Sequence, residues 1–282
     1  MDNTELIVGA INPGYGGLPI GVAAALGGAT LAWHAHPGQS PTYPGRIVMR
    51  YHHPHAGAHT VIDALPPMVD VLTINRFATW QTTGAPLIDQ GYKPPLVIVE
   101  VQLPNDEAVP VCDYLDTRGY RTTWTRLCSN DVGTPHRRLR SYAIGVRKDC
   151  GVPGVNAAYL DADPWTGSLW TTPSAYDTYL DSEAYRWAQT DMEGKADSRA
   201  LEHWEKVTCE RFPYPLYTLP HSGQARLSVG FVEWLMGLPI GYVSTPSLRL
   251  SHDQRMGLLY SGTVPLQAAH AVAVLLTQMG EQ

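Results

Sequence analysis

Short, nearly uniform apolar runs separated by helix-length intervals constrain the fold of this 282-residue chain more than any other feature. They include residues 6–11 (LIVGAI) and 96–101 (LVIVEV), which lack the alternation of a strand with one face in water. Runs of this kind are typical of a mostly parallel sheet with helices packed on both faces. The other strand candidates are residues 29–34, 46–51, 69–74 and 141–146. We therefore predict an α/β fold.

The texture of the sequence predicts a large core with a smaller lobe, since a domain takes about 150 residues. After the last strand candidate the chain becomes rich in Pro, Asp, Trp and Tyr, with a helical pattern only over residues 183–208. Apolar helical patterning returns at residues 229–236 and 266–279. We predict an α/β core over residues 1–148, an irregular acidic insert over 149–225 and a return to the core over 226–282.

Composition excludes several classes of protein. The four cysteines contain no CxxC pair, which fits a reducing compartment. No apolar run reaches the roughly 20 residues of a membrane span, and the N-terminus lacks the basic start of a signal peptide. We therefore expect a cytoplasmic protein without a membrane partner. The formal net charge of −6 argues against a generally basic surface for nucleic acid.

The charges are divided between two segments of opposite sign. Residues 117–148 carry eight basic side chains against the single acid Asp131, whereas residues 156–210 carry eleven acids against four bases. The two segments therefore predict two surfaces, of which the basic one suits phosphate contacts.

A glycine-rich turn follows the first predicted strand. Residues 12–17 (NPGYGG) lie between that strand and a helix candidate over residues 18–26. Glycines let the backbone approach a ligand closely, and a helix N-terminus offers free N–H groups. The turn predicts a nucleotide-type site, and a purely structural turn is the alternative.

Six segments, in order along nearly the whole chain, carry a resemblance to a known family. They are residues 14–17 (GYGG), 70–73 (DVLT), 99–101 (VEV), 133–140 (GTPHRRLR), 231–239 (FVEWLMGLP) and 262–267 (GTVPLQ). Together they resemble the motifs of DNA (cytosine-5) methyltransferases, in particular the compact versions carried by actinobacterial phages. The resemblance implies a Rossmann-like S-adenosylmethionine-dependent methyltransferase fold, DNA as a partner and, for a phage-encoded chain, the host cytoplasm as location.

The nucleophile of that family is missing. The family's chemistry uses a cysteine thiolate that attacks cytosine C6, in a Pro-Cys loop directly after the DVLT strand. By the resemblance, Ala78 takes the place of the cysteine and Phe77 that of the proline. Cys112 and Cys128 fall in segments where the family keeps no nucleophile, and we expect all four cysteines to be buried structural residues. We therefore do not expect classical cytosine-5 methyl transfer.

The cofactor pocket that the resemblance implies is also altered. The first motif cradles S-adenosylmethionine in the family, which implies Asn12, Gly14, Gly16 and Gly17 as contacts. Where the family has an acid after the second strand, this sequence has His34 and His36. Where the family has an acid after the third strand, this sequence has Tyr51. Ser261, after Tyr260, stands where the last motif has Gly-Asn. These changes predict weak or absent S-adenosylmethionine binding, or a different donor.

Six histidines cluster at the ends of two predicted strands: His34, His36, His52, His53, His55 and His59. Imidazoles from neighbouring strand ends are metal ligands in many proteins, so His52, His53 and His55 are candidate ligands of a divalent ion. The spacing matches no standard zinc signature. Exposed loop histidines without a shared role, or an anion site helped by protonation, are the alternatives.

The family's base-holding residues are retained. By the resemblance, Glu100 would hydrogen-bond the Watson–Crick edge of an extruded cytosine, and Arg138 and Arg140 would hold its O2 and the nearby backbone. A structural ion pair between the carboxylate and a core arginine is the alternative. Arg76, in the altered loop, adds a cation near the same cleft. DNA is the expected partner, either as a duplex with an extruded base or single-stranded.

Three functional hypotheses follow. The first is a pseudo-methyltransferase that binds DNA or regulates a partner. The second is a DNA base-modifying enzyme of different chemistry, with the histidine-rich pocket holding a new cofactor. The third is a protein-interaction module that uses its acidic insert, because an acidic lobe suits a protein partner better than the DNA major groove.

Overall fold

The computed structural model describes residues 6–35, 65–102, 108–163, 199–218 and 225–281. Its main sheet has six strands: β1 (Leu6–Ile11), β2 (Ala29–Ala35), β3 (Val71–Asn75), β4 (Leu96–Val101), β5 (Tyr120–Cys128) and β6 (Leu139–Arg147). Their order across the sheet is β2-β1-β3-β4-β6-β5. The predicted strand over residues 46–51 lies outside the described residues.

Strands β1 to β4 are parallel, and β6 is inserted antiparallel between β4 and β5. The expected strand over 141–146 is thus present but reversed, since the connection from β5 is too short for the crossover that parallel neighbours need. Strand β5 was not predicted, because its sequence (YRTTWTRLC) is mostly polar at the edge of the sheet. The predicted fold class, a mostly parallel Rossmann-like sheet with helices, is confirmed.

The helices are α1 (Gly17–Ala25), α2 (Phe77–Thr79), α3 (Ala85–Asp89), α4 (Ala108–Asp116), α5 (Arg199–Thr208), α6 (Val229–Leu235), α7 (His252–Ser261) and α8 (Pro265–Gly280). A π-helical turn, Trp80–Gly84, joins α2 to α3. The predicted helices at α1, α6 and α8 are confirmed. The unpredicted α7 begins with a capping box, in which Ser251 and Gln254 bond each other's backbone N–H groups.

Helices cover both faces of the sheet. On one face, α1 and α8 bury Leu18, Val22 and Leu275 against strand residues such as Ile98 and Ile144. The other face is covered by α2, α3, α4 and the π-helical turn, whose buried residues include Trp80, Leu87, Val111 and Leu115. This arrangement leaves the carboxyl ends of β1, β3 and β4 at one edge, where loops from several elements meet.

A third apolar cluster joins α5, α6 and α7 with the antiparallel strands β7 (Leu216–Thr218) and β8 (Ala225–Leu227). Its centre is Trp204, Phe231 and Trp234, all buried. The indole of Trp204 donates to the carbonyl of Trp234 (2.9 Å). The cluster therefore combines residues from both sides of the predicted boundary at residue 225.

One stretch of the described chain, His252–Gly280, is long and apolar enough to span a membrane by length and composition. Its most apolar window has a mean hydropathy of 1.3 and is 72% buried inside the protein. A buried core helix passes the same test, and here the stretch is divided into α7 and α8 around Gly262.

Candidate functional site at the carboxyl edge of the sheet

The glycine turn after β1 is tied to the loop after β3. The side-chain amide of Asn12 donates to the hydroxyl of Thr79 (3.1 Å) and the carbonyl of Asn75 (3.4 Å). Its backbone N–H donates to the carbonyl of Ala35 at the end of β2 (2.7 Å). Asn12, a predicted cofactor contact, therefore holds three strand ends together through its own hydrogen bonds.

The same turn packs closely against the segment that precedes α8. Tyr15 is fully buried, burial raises the pKa of its phenol, and its hydroxyl donates to the carbonyl of Thr263. A Cβ on Gly262 would overlap the Tyr15 ring, and a Cβ on Gly17 would overlap the Thr263 carbonyl. Both glycines are thus required by the packing of these two segments of the chain against each other.

The turn conformation itself also requires glycine. Gly14 and Gly16 have φ angles of 58° and 98°, in the left-handed region that disfavours other residues. The amide N–H of Gly16 donates to the carbonyl of Pro13 (2.8 Å). A Cβ on Gly14 would meet only the Cα of Gly262, at 3.7 Å, so Gly14 has more room around it than Gly17.

The described part of the predicted cofactor pocket lies at the ends of β1 and β2 and in the glycine turn. The described ends of β1 and β2 and the glycine turn contain no carboxylate to hold ribose hydroxyls. His34 is half-buried, and burial lowers its pKa, which favours the neutral ring. The backbone carbonyl of Ser261 accepts from the side-chain amide of Gln102 (3.0 Å). The hydroxyl of Ser261 donates to the carbonyl of Leu258 within α7 (3.2 Å). The predicted contacts His36 and Tyr51 lie outside the described residues.

A buried polar network lies beside the turn. Asn75 on β3, Glu100 on β4 and Tyr142 on β6 are paired across the three strands. The carboxylate of Glu100 accepts from the Asn75 amide (2.7 Å) and the Thr263 hydroxyl (2.6 Å) through Oε2. Its Oε1 forms an ion pair with Nε of Arg140 (2.8 Å). Both carboxylate oxygens of Glu100 therefore face donors of the protein.

Arg138 connects the sheet to α7. Its guanidinium donates to the carbonyls of Leu259 (3.3 Å) and Tyr260, and it also contacts the sulfur of Met236 (3.4 Å). The backbone carbonyl of Arg138 accepts from Gln267 on α8 (2.8 Å). The structural ion pair considered as an alternative is present at Arg140. The base-holding role of these residues stays a prediction.

Two further polar side chains lie next to this network. His136, which stands where the resembled motif has Gln, is fully buried, and neither ring nitrogen has a hydrogen-bond partner among the described residues. Burial and the neighbouring Arg138 and Arg140 lower its pKa to about 3. The hydroxyl of Tyr142 is also buried without a partner in the described chain, and burial raises its pKa. Sequence reasoning placed His136 only as the replacement of the motif's Gln, and it did not single out Tyr142.

The loop after β3 carries the position of the missing nucleophile. Ala78 is exposed, and its carbonyl accepts from the hydroxyl of Thr82 (2.8 Å). Cys112 is buried on α4, and burial raises the pKa of its thiol to about 11. Cys128 is buried on β5, three strands from β3 and so about 14 Å away across the sheet. No described thiol can replace one at position 78.

The expectation that all four cysteines are buried is half wrong. Cys112 and Cys128 are buried, but Cys150 is only partly buried and Cys209 is exposed, because both lie in turns outside the apolar clusters. None of the described residues forms a group of three or more potential metal ligands. His52, His53 and His55 lie outside the described residues, so the metal prediction stays open.

Glu233 on α6 is a residue that sequence reasoning missed. Its carboxylate is fully buried and accepts from the backbone of Gly241 (2.8 Å), Val243 and Ser244 (3.0 Å) and from the Ser244 hydroxyl (2.8 Å). This loop brings Tyr242 to the glycine turn, where its hydroxyl donates to the carbonyl of Tyr15 (3.1 Å). The signal in the sequence was an acid inside an apolar helix.

Solved methyltransferases share this fold. The Dnmt2 methyltransferase of S. pombe superposes with a TM-score of 0.55 at 13% identity, covering 98% of this chain and 99% of that chain. A putative DNA modification methyltransferase encoded within an E. coli prophage gives 0.51 at 12% identity, with coverage of 98% and 99%. A mutant of Spodoptera frugiperda DNMT2 gives 0.52 at 14% identity, with coverage of 96% and 99%.

No protein-family model and no curated protein sequence matches the chain. At such low identities the structural likeness shows the fold alone, which is the Rossmann-like fold of S-adenosylmethionine-dependent methyltransferases. This agrees with the fold that the sequence resemblance implies. The likeness does not address the phage type or the replaced nucleophile.

Proposed function

We propose that this chain is a DNA-binding protein built on a DNA-methyltransferase fold that does not methylate cytosine through a cysteine adduct. The observation that carries the proposal is Ala78, exposed on the loop after β3, at the same sheet edge as Glu100 and Arg140. The loop is accessible to a macromolecule, but its side chain at this position is a methyl group.

The missing thiolate removes one step of the chemistry. Attack on cytosine C6 makes C5 nucleophilic toward the methyl donor, and alanine has no electron pair with which to attack. Cys112 points its thiol at a backbone carbonyl of the core (Thr123, 3.6 Å), so it is not available as a substitute. Without the adduct, methyl transfer to C5 has no route in the described site.

The basic segment, residues 117–148, supports binding to phosphates. Some of its positive charges are already paired with acids of the protein. Arg118 pairs with Asp89 (3.0 Å), and Arg147 pairs with Asp149, so these two cations are partly neutralised. Arg126 and Arg137 are exposed near the carboxyl edge of the sheet. Contacts of this kind are electrostatic and weaken steeply with salt.

The buried network argues against a ready-made pocket for an extruded base. Oε2 of Glu100 already accepts from Asn75 and Thr263, and Oε1 is paired with Arg140, so holding a base would compete with these contacts. The proposal therefore places DNA on the exposed loop and its surroundings. Base-holding by Glu100, Arg138 and Arg140 would be an additional step.

An Ala78→Cys variant tests this proposal. We expect its new thiol to react readily with maleimide, because position 78 is exposed, and to be protected when duplex DNA is added. Cys209 is exposed elsewhere and serves as an internal control whose alkylation DNA should leave unchanged. Peptide mass spectrometry reports both sites in one sample. Equal alkylation with and without saturating DNA would contradict the proposal.

The alternatives give different results in the same preparations. A protein-interaction module would show no salt-sensitive DNA binding at all. A base-modifying enzyme of different chemistry would bind DNA and leave a new modified nucleoside. Its histidine-rich pocket falls largely outside the described residues, so no described contact favours it over the first proposal.

A further inference from the structure

Arg76 has the largest positive φ angle among the described non-glycine residues. Its φ and ψ angles are 77° and 135°. The other long side chain with positive φ, Arg249, has φ 51° and ψ 29°, which lies in the ordinary left-handed basin. The Arg76 conformation lies outside that basin, in a region that favours glycine and strains a residue with a Cβ.

The surrounding structure fixes this strained conformation. The backbone N–H of Arg76 donates to the carbonyl of Glu100 (2.8 Å), and its carbonyl accepts from Trp80 (3.0 Å). Both neighbours are anchored, because Glu100 lies in the polar network and Trp80 is buried against Tyr114 (ring centroids 5.4 Å apart). The backbone at residue 76 therefore has little freedom to relax.

The guanidinium of Arg76 has no hydrogen bond or ion pair within the described residues. Other arginines differ, since Arg118 pairs with Asp89 and Arg140 pairs with Glu100. The acid on the adjoining strand, Glu100, already pairs with Arg140 and accepts two hydrogen bonds. A charged side chain on a strained backbone position, with no partner among the described residues, points to an external anion.

The chemistry of the position selects the class of anion. Arg76 is partly buried and lies two residues before the exposed Ala78, on the loop to which we assign DNA. A guanidinium presents a planar fork of N–H donors that matches the oxygens of a phosphate. We infer that Arg76 contacts a backbone phosphate of bound DNA. This inference rests on the proposed function and adds the residue that anchors the strand at the loop.

Stability measurements test the strain independently of DNA. At ordinary positions glycine is less stabilising than alanine, because it costs more chain entropy on folding. At position 76 we expect the reverse order, with the melting temperature of Arg76→Gly above that of Arg76→Ala by about 2 to 4 °C. Both variants lack the guanidinium, so the difference isolates the backbone. A lower melting temperature for Arg76→Gly would overturn the strain argument.

Binding measurements test the phosphate contact. We expect Arg76→Gly and Arg76→Ala to bind duplex DNA about tenfold more weakly than the unaltered chain, with a salt dependence shallower by about one unit of log Kd per log salt. Arg76→Lys should restore the salt dependence, because it keeps the charge. The control is Lys148→Gln, which removes an exposed charge beyond the end of β6, at the opposite edge of the sheet.

The outcomes separate the two proposals. No DNA binding by the unaltered chain would overturn the proposed function. DNA binding that is intact in both Arg76→Gly and Arg76→Ala would overturn only the role of Arg76. Equal losses in Arg76→Ala and Lys148→Gln would also overturn it, because the effect would then be one of general charge. An Arg76 effect on inorganic phosphate binding but not on DNA would show a free-anion site and contradict the inference.

Discussion

The glycine turn after β1 and the loop after β3 lie side by side at one edge of the sheet, and they differ in how closed they are. The turn is filled by the protein itself, with Tyr15 buried against Gly262 and Thr263. The loop exposes Ala78 and leaves the Arg76 guanidinium without a partner in the described chain. The turn is therefore closely packed within the protein, whereas the loop is exposed to solvent.

This difference teaches that a motif and its accessibility are separate properties. The glycines of the turn are those expected of a cofactor site, yet Gly17 is explained by its contact with the segment before α8, and Gly14 and Gly16 by their left-handed φ angles. The loop after β3 keeps an exposed position at Ala78. The DNA contact that we propose therefore lies on the exposed loop rather than at the glycine turn.

The largest expected effect is on the buried network that joins the two regions. Glu100→Gln leaves the buried Arg140 without its counter-charge, and we expect a loss of about 3 to 5 kcal/mol in unfolding free energy. Asp89→Asn is the control, because it removes one partner of an exposed pair and should cost at most about 1 kcal/mol. Urea unfolding of both variants checks the difference. Similar small losses would show that the network is not a structural joint.

The next effect compares the two regions directly. Gly262→Ala places a methyl group against the Tyr15 ring, and we expect a loss of about 3 kcal/mol through overpacking. Ala78→Ser on the exposed loop should change stability by less than about 0.5 kcal/mol. Thermal or urea unfolding measures both. A Gly262→Ala variant as stable as the unaltered chain would mean that the turn has room for a ligand.

A smaller effect depends on pH. The folded protein keeps His136 unprotonated down to a pH of about 3, whereas the unfolded chain protonates it below its ordinary pKa of 6.5. The unfolded state therefore binds an extra proton in this range, and stability is lost as the pH falls from 6.5 toward 3. By pH 5 the loss reaches about 2 kcal/mol.

His136→Gln is the matched variant, since glutamine does not titrate. Its unfolding free energy should fall less between pH 7 and pH 5 than that of the unaltered chain, by the same order of magnitude. Urea unfolding at the two pH values gives the comparison. Parallel losses in both proteins would place the titrating group elsewhere.

The smallest expected signal concerns the closed turn. Because the described residues there offer no carboxylate and pack against one another, we expect no saturable heat on titration with S-adenosylmethionine up to about 1 mM. Isothermal calorimetry makes the measurement. Tight binding would contradict the view that this pocket has changed.

The fold was predictable because its main strands are apolar on both faces. Apolar composition predicts β1, β3 and β4, and helical periodicity predicts α1 and α8. Strand β5 escaped prediction because its polar residues lie at a sheet edge, and the direction of β6 depends on pairing that no single strand encodes. Tertiary contacts decided both.

The candidate site was predictable only in part. The resemblance led to Glu100, Arg138 and Arg140, and the structure brings Glu100 and Arg140 into contact. It could not reveal Thr263 or Asn75, whose importance comes from hydrogen bonds between distant segments. The strain at Arg76 could not be predicted either, because the residue type does not determine the backbone angles.

The central claim is that this fold binds DNA without methylating it. Mass spectrometry of nucleosides from the DNA of cells that express the chain tests it most directly. We expect the content of 5-methylcytosine to equal that of cells carrying an empty vector, with no new nucleoside. An increase in 5-methylcytosine, or a modified base that depends on the chain, would contradict the account.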